Sequence, residues 1–221
     1  VDQLVVENAG NISISLSWTS DAASFTVMND TVQIATGITD THFAVTGLTP
    51  ATHYTFSVIA DCSDGLSSDA VTVNAFTDCL PVEIPYVENF EADGQYDCWT
   101  VHAASSYTGR TDLPFYAENG NGFFAFANSV NPPQYLISPE LTGTGAGLRF
   151  SFGYRAIDYR FAESFVVGYS TTTKDTNAFV WGTEVTDITN STYIHYMEEM
   201  EVNDIKYVAI KYTASDMSSL L

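Results

Sequence analysis

Residues Glu91 to Asp97 place three carboxylates, Glu91, Asp93 and Asp97, around Gly94 in the pattern ExDGxxD. Carboxylate oxygens are hard ligands, and several on one short loop are what a calcium ion requires. The spacing is not that of an EF-hand, and Asp-Gly is also an ordinary turn pair, so a solvated turn is the competing reading. A second group is aromatic. Tyr107, Phe115, Tyr116, Phe123, Phe124, Phe126 and Tyr135 surround a loop rich in Gly and Asn. An exposed ring stacks on a sugar with large contact area and little loss of conformational freedom. The alternation in GFFAFA assigns Phe124 and Phe126 to a core, which leaves Tyr107 and Tyr116 as the expected exposed, ligand-binding pair.

The search for catalytic chemistry returns little. His42, His53, His102 and His195 are scattered, with no HExxH or similar spacing, and no GxSxG, phosphate-cradling glycine loop or CxxC occurs. Cys98 and His102 could be drawn as a thiol and its base, but the adjacent Trp99 and an expected bridge from Cys98 to Cys79 argue against a thiolate. The expectation is a chain that is not an enzyme and has no catalytic residues. NIS, NDT and NST fit glycosylation acceptors, although chance accounts for them in a chain this rich in Ser, Thr and Asn.

Charge narrows the partners. Residues 1 to 78 hold nine acids and no Lys or Arg; the other eighteen acids and all seven cations follow, giving −9 and −11 within a total of −20. Such a field repels phosphate backbones and anionic lipid, so neither nucleic acid nor a membrane is an expected partner. No run approaches the roughly 18 apolar residues of a membrane span. Val1 begins without a charged and apolar leader, as a mature or excised piece would.

The elements that must position these residues are strands. LVVE, ISISLSW, SFTVMN, VQIA, HFAVTGL, HYTFSVIA and AVTVNAF show period-two apolar patterns separated by turn signals, seven short strands in under eighty residues. That is a sandwich pattern. If residues 53–61 and 69–77 form a hairpin, Cys62 lies beside its turn and Cys79 about ten residues farther along, roughly 30 Å away at ~3.3 Å per residue. A disulfide needs Cα atoms within about 7 Å. The feasible pair is therefore Cys79 with Cys98, which bracket the Pro-containing stretch PVEIPYVENFEADGQYD and imply an oxidising compartment.

Two resemblances follow from the motifs. Leu48, Pro50 and Tyr54, spaced LxPxxxY, with Trp18 ending the second strand, resemble the corner and core tryptophan of a fibronectin type III domain over residues 1–78. The resemblance implies that the Tyr54 hydroxyl bonds back to backbone a few residues upstream. After a linker at 79–84, residues 85–221 carry PYVENFE, DCW, YLISPEL, SFVVGYSTTTKD and KYVAIKYTA. This set resembles the choice-of-anchor J and cleaved-adhesin family, related to the MAM jelly roll and found in gingipain-type bacterial surface proteases. The alternations Leu148, Phe150, Phe152, Tyr154 and Phe165, Val167, Tyr169 turn one face of each strand to a core.

The second resemblance implies a non-catalytic jelly roll, often calcium-bound, with Glu163 as a further ligand beside the acids of the opening loop. It also implies a closing strand of type LxxDDI that is missing after KYTASDMSSLL, which would leave an unpaired sheet edge. The expected protein is all-β, two consecutive sandwiches from a larger secreted or cell-surface bacterial polypeptide. Its expected work is adhesion, binding an extracellular glycan or a host or matrix protein. The alternative is a structural spacer or ancillary module of a secreted protease or glycan-degrading enzyme.

Overall fold

The computed structural model describes the chain except residues 63–64, 93–95, 104–107, 128–132, 215–219 and 221. It divides into two compact units, Val1–Leu80 and Pro81–Leu221. Both are built of strands, with two short 3-10 turns as the helical elements among the described residues. None of these is long and apolar enough to cross a membrane.

The first unit contains β1 (Asp2–Ala9), β2 (Ser13–Thr19), β3 (Ser24–Asn29), β4 (Val32–Ile38), β5 (His42–Thr46), β6 (His53–Asp61) and β7 (Val71–Phe76). They form two antiparallel sheets, ordered β1-β2-β5 and β4-β3-β6-β7, the arrangement of a fibronectin type III sandwich. Alternation explains the core: Ile14, Leu16 and Trp18 from β2 meet Phe25 and Val27 from β3 and Phe56, Val58 and Ala60 from β6. Each such buried aliphatic or aromatic side chain contributes about 1.5–3 kcal/mol. Trp18 is 4% exposed and meets the Phe25 ring edge-on at 5.3 Å. The Tyr54 hydroxyl accepts from the Thr49 amide at 2.9 Å, the corner that LxPxxxY implied.

The second unit contains β8 (Val82–Glu83), β9 (Thr100–His102), β10 (Gly109–Asp112), β11 (Gly122–Ala125), β12 (Gln134–Ile137), β13 (Leu141–Thr142), β14 (Leu148–Tyr154), β15 (Glu163–Ser170), β16 (Val180–Trp181), β17 (Val185–Ile188), β18 (Ile194–Met200) and β19 (Tyr207–Tyr212). Its largest sheet runs β16-β15-β19-β12-β9, with β17 also paired to β15. Three two-stranded pairs, β10-β11, β14-β18 and the parallel β8-β13, complete the described strands. Val82 and Glu83, inside the stretch read as linker, thus belong to a strand pair.

The largest buried cluster of this unit lies on one face of the large sheet. Phe165 and Val167 from β15, Val208, Ile210 and Tyr212 from β19 and Leu136 from β12 face it from the large sheet. Phe150, Phe152 and Tyr154 from β14 and Tyr196 from β18 face them, and Phe152 lies 5.3 Å from Phe165. Phe124 and Phe126 are buried here as their alternation required. Leu220, 2% exposed, exchanges two backbone hydrogen bonds with Phe126, so this part of the tail is fixed in the same core.

Candidate ligand-binding surface

Of the four acids expected to hold calcium, Glu91, Asp97 and Glu163 lie among the described residues, and Glu163 stands apart from the other two. Glu91 Oε1 accepts from the amides of Asn121 and Gly122 at 2.7 and 2.9 Å, and these bonds lower its pKa below the usual carboxylate range. Glu91 and Asp97 line a surface cavity of about 310 Å³ together with Ala92, Tyr96 and Arg110. Arg110 brings a positive charge into it, which opposes a cation. Glu163 is 0% exposed and accepts from the Tyr212 hydroxyl at 2.6 Å inside the core. Asp93 lies outside the described residues, among which no three His, Cys, Asp or Glu side chains are grouped to hold a metal. The described residues do not by themselves make a calcium cage.

The aromatic expectation needs a correction. Tyr107 lies outside the described residues, and Tyr116 is half-buried rather than exposed. Its ring packs on Phe123, 6.4 Å away, and carries the Arg155 guanidinium at 5.4 Å on the ring face. The exposed ring is its neighbour Phe115, 84% accessible and edge-on to Tyr116 at 5.2 Å. Sequence alternation identifies rings that share a strand face, but residues 113–116 form a turn where that rule does not operate. Cys79 and Cys98 are both disulfide-bonded, and Cys62 is an exposed free cysteine. The bridge removes the thiol from the Cys98 and His102 pairing.

The structure assembles a different set of rings, on the face of the large sheet turned away from the core. Register brings Tyr135, Lys211 and Val166 into one row, and Ile137, Ala209, Gly168 and Trp181 into the next. Ile137, Ala209 and Phe179 are buried beneath half-buried Tyr135, Trp181 and Tyr207. Gly168 makes this possible. A Cβ there would sit 2.5 Å from Trp181 Cε3 and 2.9 Å from the Val180 carbonyl oxygen, so only glycine leaves room for the indole. Trp181 stacks on Phe179 at 5.2 Å and tilts toward Tyr135 at 5.7 Å.

Cations complete this face. Lys211 Nζ lies 5.5 Å from the centre of the Trp181 ring and 5.9 Å from that of Tyr135. Lys174 Nζ lies 5.8 Å from Tyr207 and donates to Thr100 at 3.1 Å, while His102 stands edge-on to Tyr135. Arg110, Arg149, Arg160 and Lys206 each pair with a carboxylate. Among the described residues the side chains of Lys211 and Arg155 make no ion pair or hydrogen bond; each instead lies over two rings. In a chain with 27 acids, two cations held by rings rather than carboxylates mark surfaces where positive charge faces outward.

No protein-family model matches this chain, and no curated protein matches it. Solved structures do. The K2 cleaved adhesin domain of Lys-gingipain, a Porphyromonas gingivalis protein, is similar with a TM-score of 0.50 at 20% identity, over 61% of this chain and 94% of that one. A fibronectin type III domain of human fibronectin type III domain containing protein 3 is similar over 35% of this chain and 84% of its own, at 24% identity and a TM-score of 0.31. A family 28 exopolygalacturonase from Yersinia enterocolitica is similar over 37% of this chain, at 20% identity and a TM-score of 0.34; this chain covers 21% of the length of that enzyme. The K2 likeness is one of fold, an all-β sandwich.

Proposed function

We propose that this chain is a non-catalytic binding module of a larger secreted or cell-surface bacterial polypeptide, its second unit of the choice-of-anchor J and cleaved-adhesin type. The binding is assigned to the outer face of the large sheet. One observation carries the reading: Tyr135, Trp181 and Tyr207 form a half-buried ring platform on a rigid sheet, with Lys211 held over two of the rings. Rings supply large apolar area at low entropic cost, and an ammonium beside them supplies polar contact with an extracellular glycan or the surface of a host or matrix protein. The disulfide-bonded cysteines support an oxidising, extracellular setting.

The test is a glycan and matrix-protein array probed with the whole chain and with Trp181→Ala, each with calcium and with chelator. Binding by the wild type that falls at least tenfold in the variant, with the fold kept, supports the assignment. Absence of binding under both conditions favours the spacer reading. Loss with chelator alone returns attention to Glu91, Asp93 and Asp97.

A further inference from the structure

Arg155 follows β14, across the core from the ring-lined face, and among the described residues it has no carboxylate partner. Its guanidinium lies between the rings of Tyr116 and Tyr193, 5.4 and 5.9 Å from their centres. Nε is closed off and unbonded, and among the described residues neither Nη group makes an ion pair or side-chain hydrogen bond. A carboxylate is close by on Glu118, and its Oε1 lies 3.0 Å from His195 Nε2, an ion pair when that imidazole is protonated. The rings hold the guanidinium itself, so little rotamer entropy remains to be lost when a partner arrives.

Beside this fork stands Phe115, which is exposed and touches Tyr116 edge-on. We propose that Arg155 and Phe115 form a site for a single carboxylate-bearing sugar residue, the acid bridging the two Nη groups and the C–H face of the ring lying on Phe115. Planar carboxylate against planar guanidinium gives two parallel charge-assisted bonds. A single acid fits better than a polyanion, because one unpaired cation stands here and the chain around it carries a net charge of −20.

A peptide ligand is disfavoured by the backbone of the same turn. The amides of Tyr116 and Ala117 both donate to the Leu113 carbonyl, the Leu113 amide donates to Asn121, and the Tyr116 carbonyl accepts from the Tyr193 hydroxyl at 2.9 Å. A peptide main chain would find these groups occupied, whereas a sugar presents hydroxyls and C–H groups and needs no strand partner. The site uses none of the residues of the sheet platform, so it stands or falls apart from that reading.

The experiment titrates the whole chain with methyl β-glucuronide and with methyl β-glucoside, which differ by a carboxylate in place of a hydroxymethyl group, following amide and side-chain NMR shifts. The wild type should bind the glucuronide at least tenfold more tightly, with shifts centred on Phe115 and Arg155. Arg155→Met, which keeps an unbranched apolar side chain and removes the guanidinium, should abolish the difference. Phe115→Ala, at an exposed position, should weaken both ligands about equally, and keeps the test informative if the arginine variant misfolds. Trp181→Ala should leave the preference unchanged. Equal binding of both sugars, a preference that survives Arg155→Met, or shifts elsewhere on the surface would overturn the proposal. So would binding of a C-terminal carboxylate peptide in place of either sugar.

Discussion

Gly168→Ala is the sharpest probe of the ring platform, because it alters a residue that no ligand would touch. The added Cβ would stand 2.5 Å from Trp181 Cε3 and 2.9 Å from the Val180 oxygen. Carbon pairs are comfortable at about 3.5–4.0 Å, so the indole must retreat by about 1 Å, away from a floor made by Gly168 and Ala209. Overpacking of this kind costs about 1–3 kcal/mol. Relief of the glycine entropy within a strand offsets about 0.5–1 kcal/mol of it. The net loss is about 1–2 kcal/mol, or a fall in Tm of about 3–6 °C for a body of this size. Calorimetry on the whole chain reads the stability, and the three tryptophan indole N–H signals read the geometry. One of the three should move while the other two stay, and ligand binding on this face should weaken with it. An unchanged Tm with all three signals in place would show that Trp181 is not seated on Gly168.

Tyr54→Phe removes the bond to the Thr49 amide and keeps the ring, and should cost about 1 kcal/mol in the first unit, read as a lower Tm of its transition by calorimetry. The Asp158 carboxyl is lowered to about 2 by hydrogen bonds from Arg160. Its contribution is therefore complete above the ordinary value of 3.8 and is lost as pH falls toward about 2. In Arg160→Met, which removes the guanidinium bonds and keeps the backbone N–H bond to Asp158, an NMR titration should find the midpoint raised toward the ordinary value, and a midpoint still near 2 would contradict the assignment. Alkylation of the denatured, unreduced chain should label Cys62 alone, and labelling after reduction should reach all three cysteines, as peptide mapping would show.

Much of the fold was legible because strands declare themselves locally. β2 and β6 alternate so regularly that their inward residues, Ile14, Leu16, Trp18, Phe56, Val58 and Ala60, follow from period two alone. The Tyr54 corner was legible for the same reason, its two ends being five residues apart. The platform was not, since Tyr135, Lys211 and Trp181 come from three strands whose register no local pattern records. A signal was nonetheless present. The runs FVV within SFVVGYS and YVAI within KYVAIKY are apolar without alternation, as happens when both faces of a strand are covered. Arg155 was illegible because what marks it is the lack of a carboxylate partner among the described residues, which only the folded arrangement shows.

The strand β4 ends its sheet, pairing with β3 on one side only, and VQIATGI contains no charged residue. Val32 and Ile34 are exposed along it. Natural sheets commonly guard such a margin with lysine, an option absent from a segment with no Lys or Arg. Two safeguards remain. The register breaks twice between β3 and β4, which twists the margin away from a flat template. The other is mutual repulsion among the acids of neighbouring molecules, a protection that belongs to the solution rather than to the strand. It weakens as pH approaches the isoelectric point near 4.1. Pairing of two molecules along β4 would thus be opposed by electrostatics in neutral water and unopposed in acid, a consequence of composition rather than of folding.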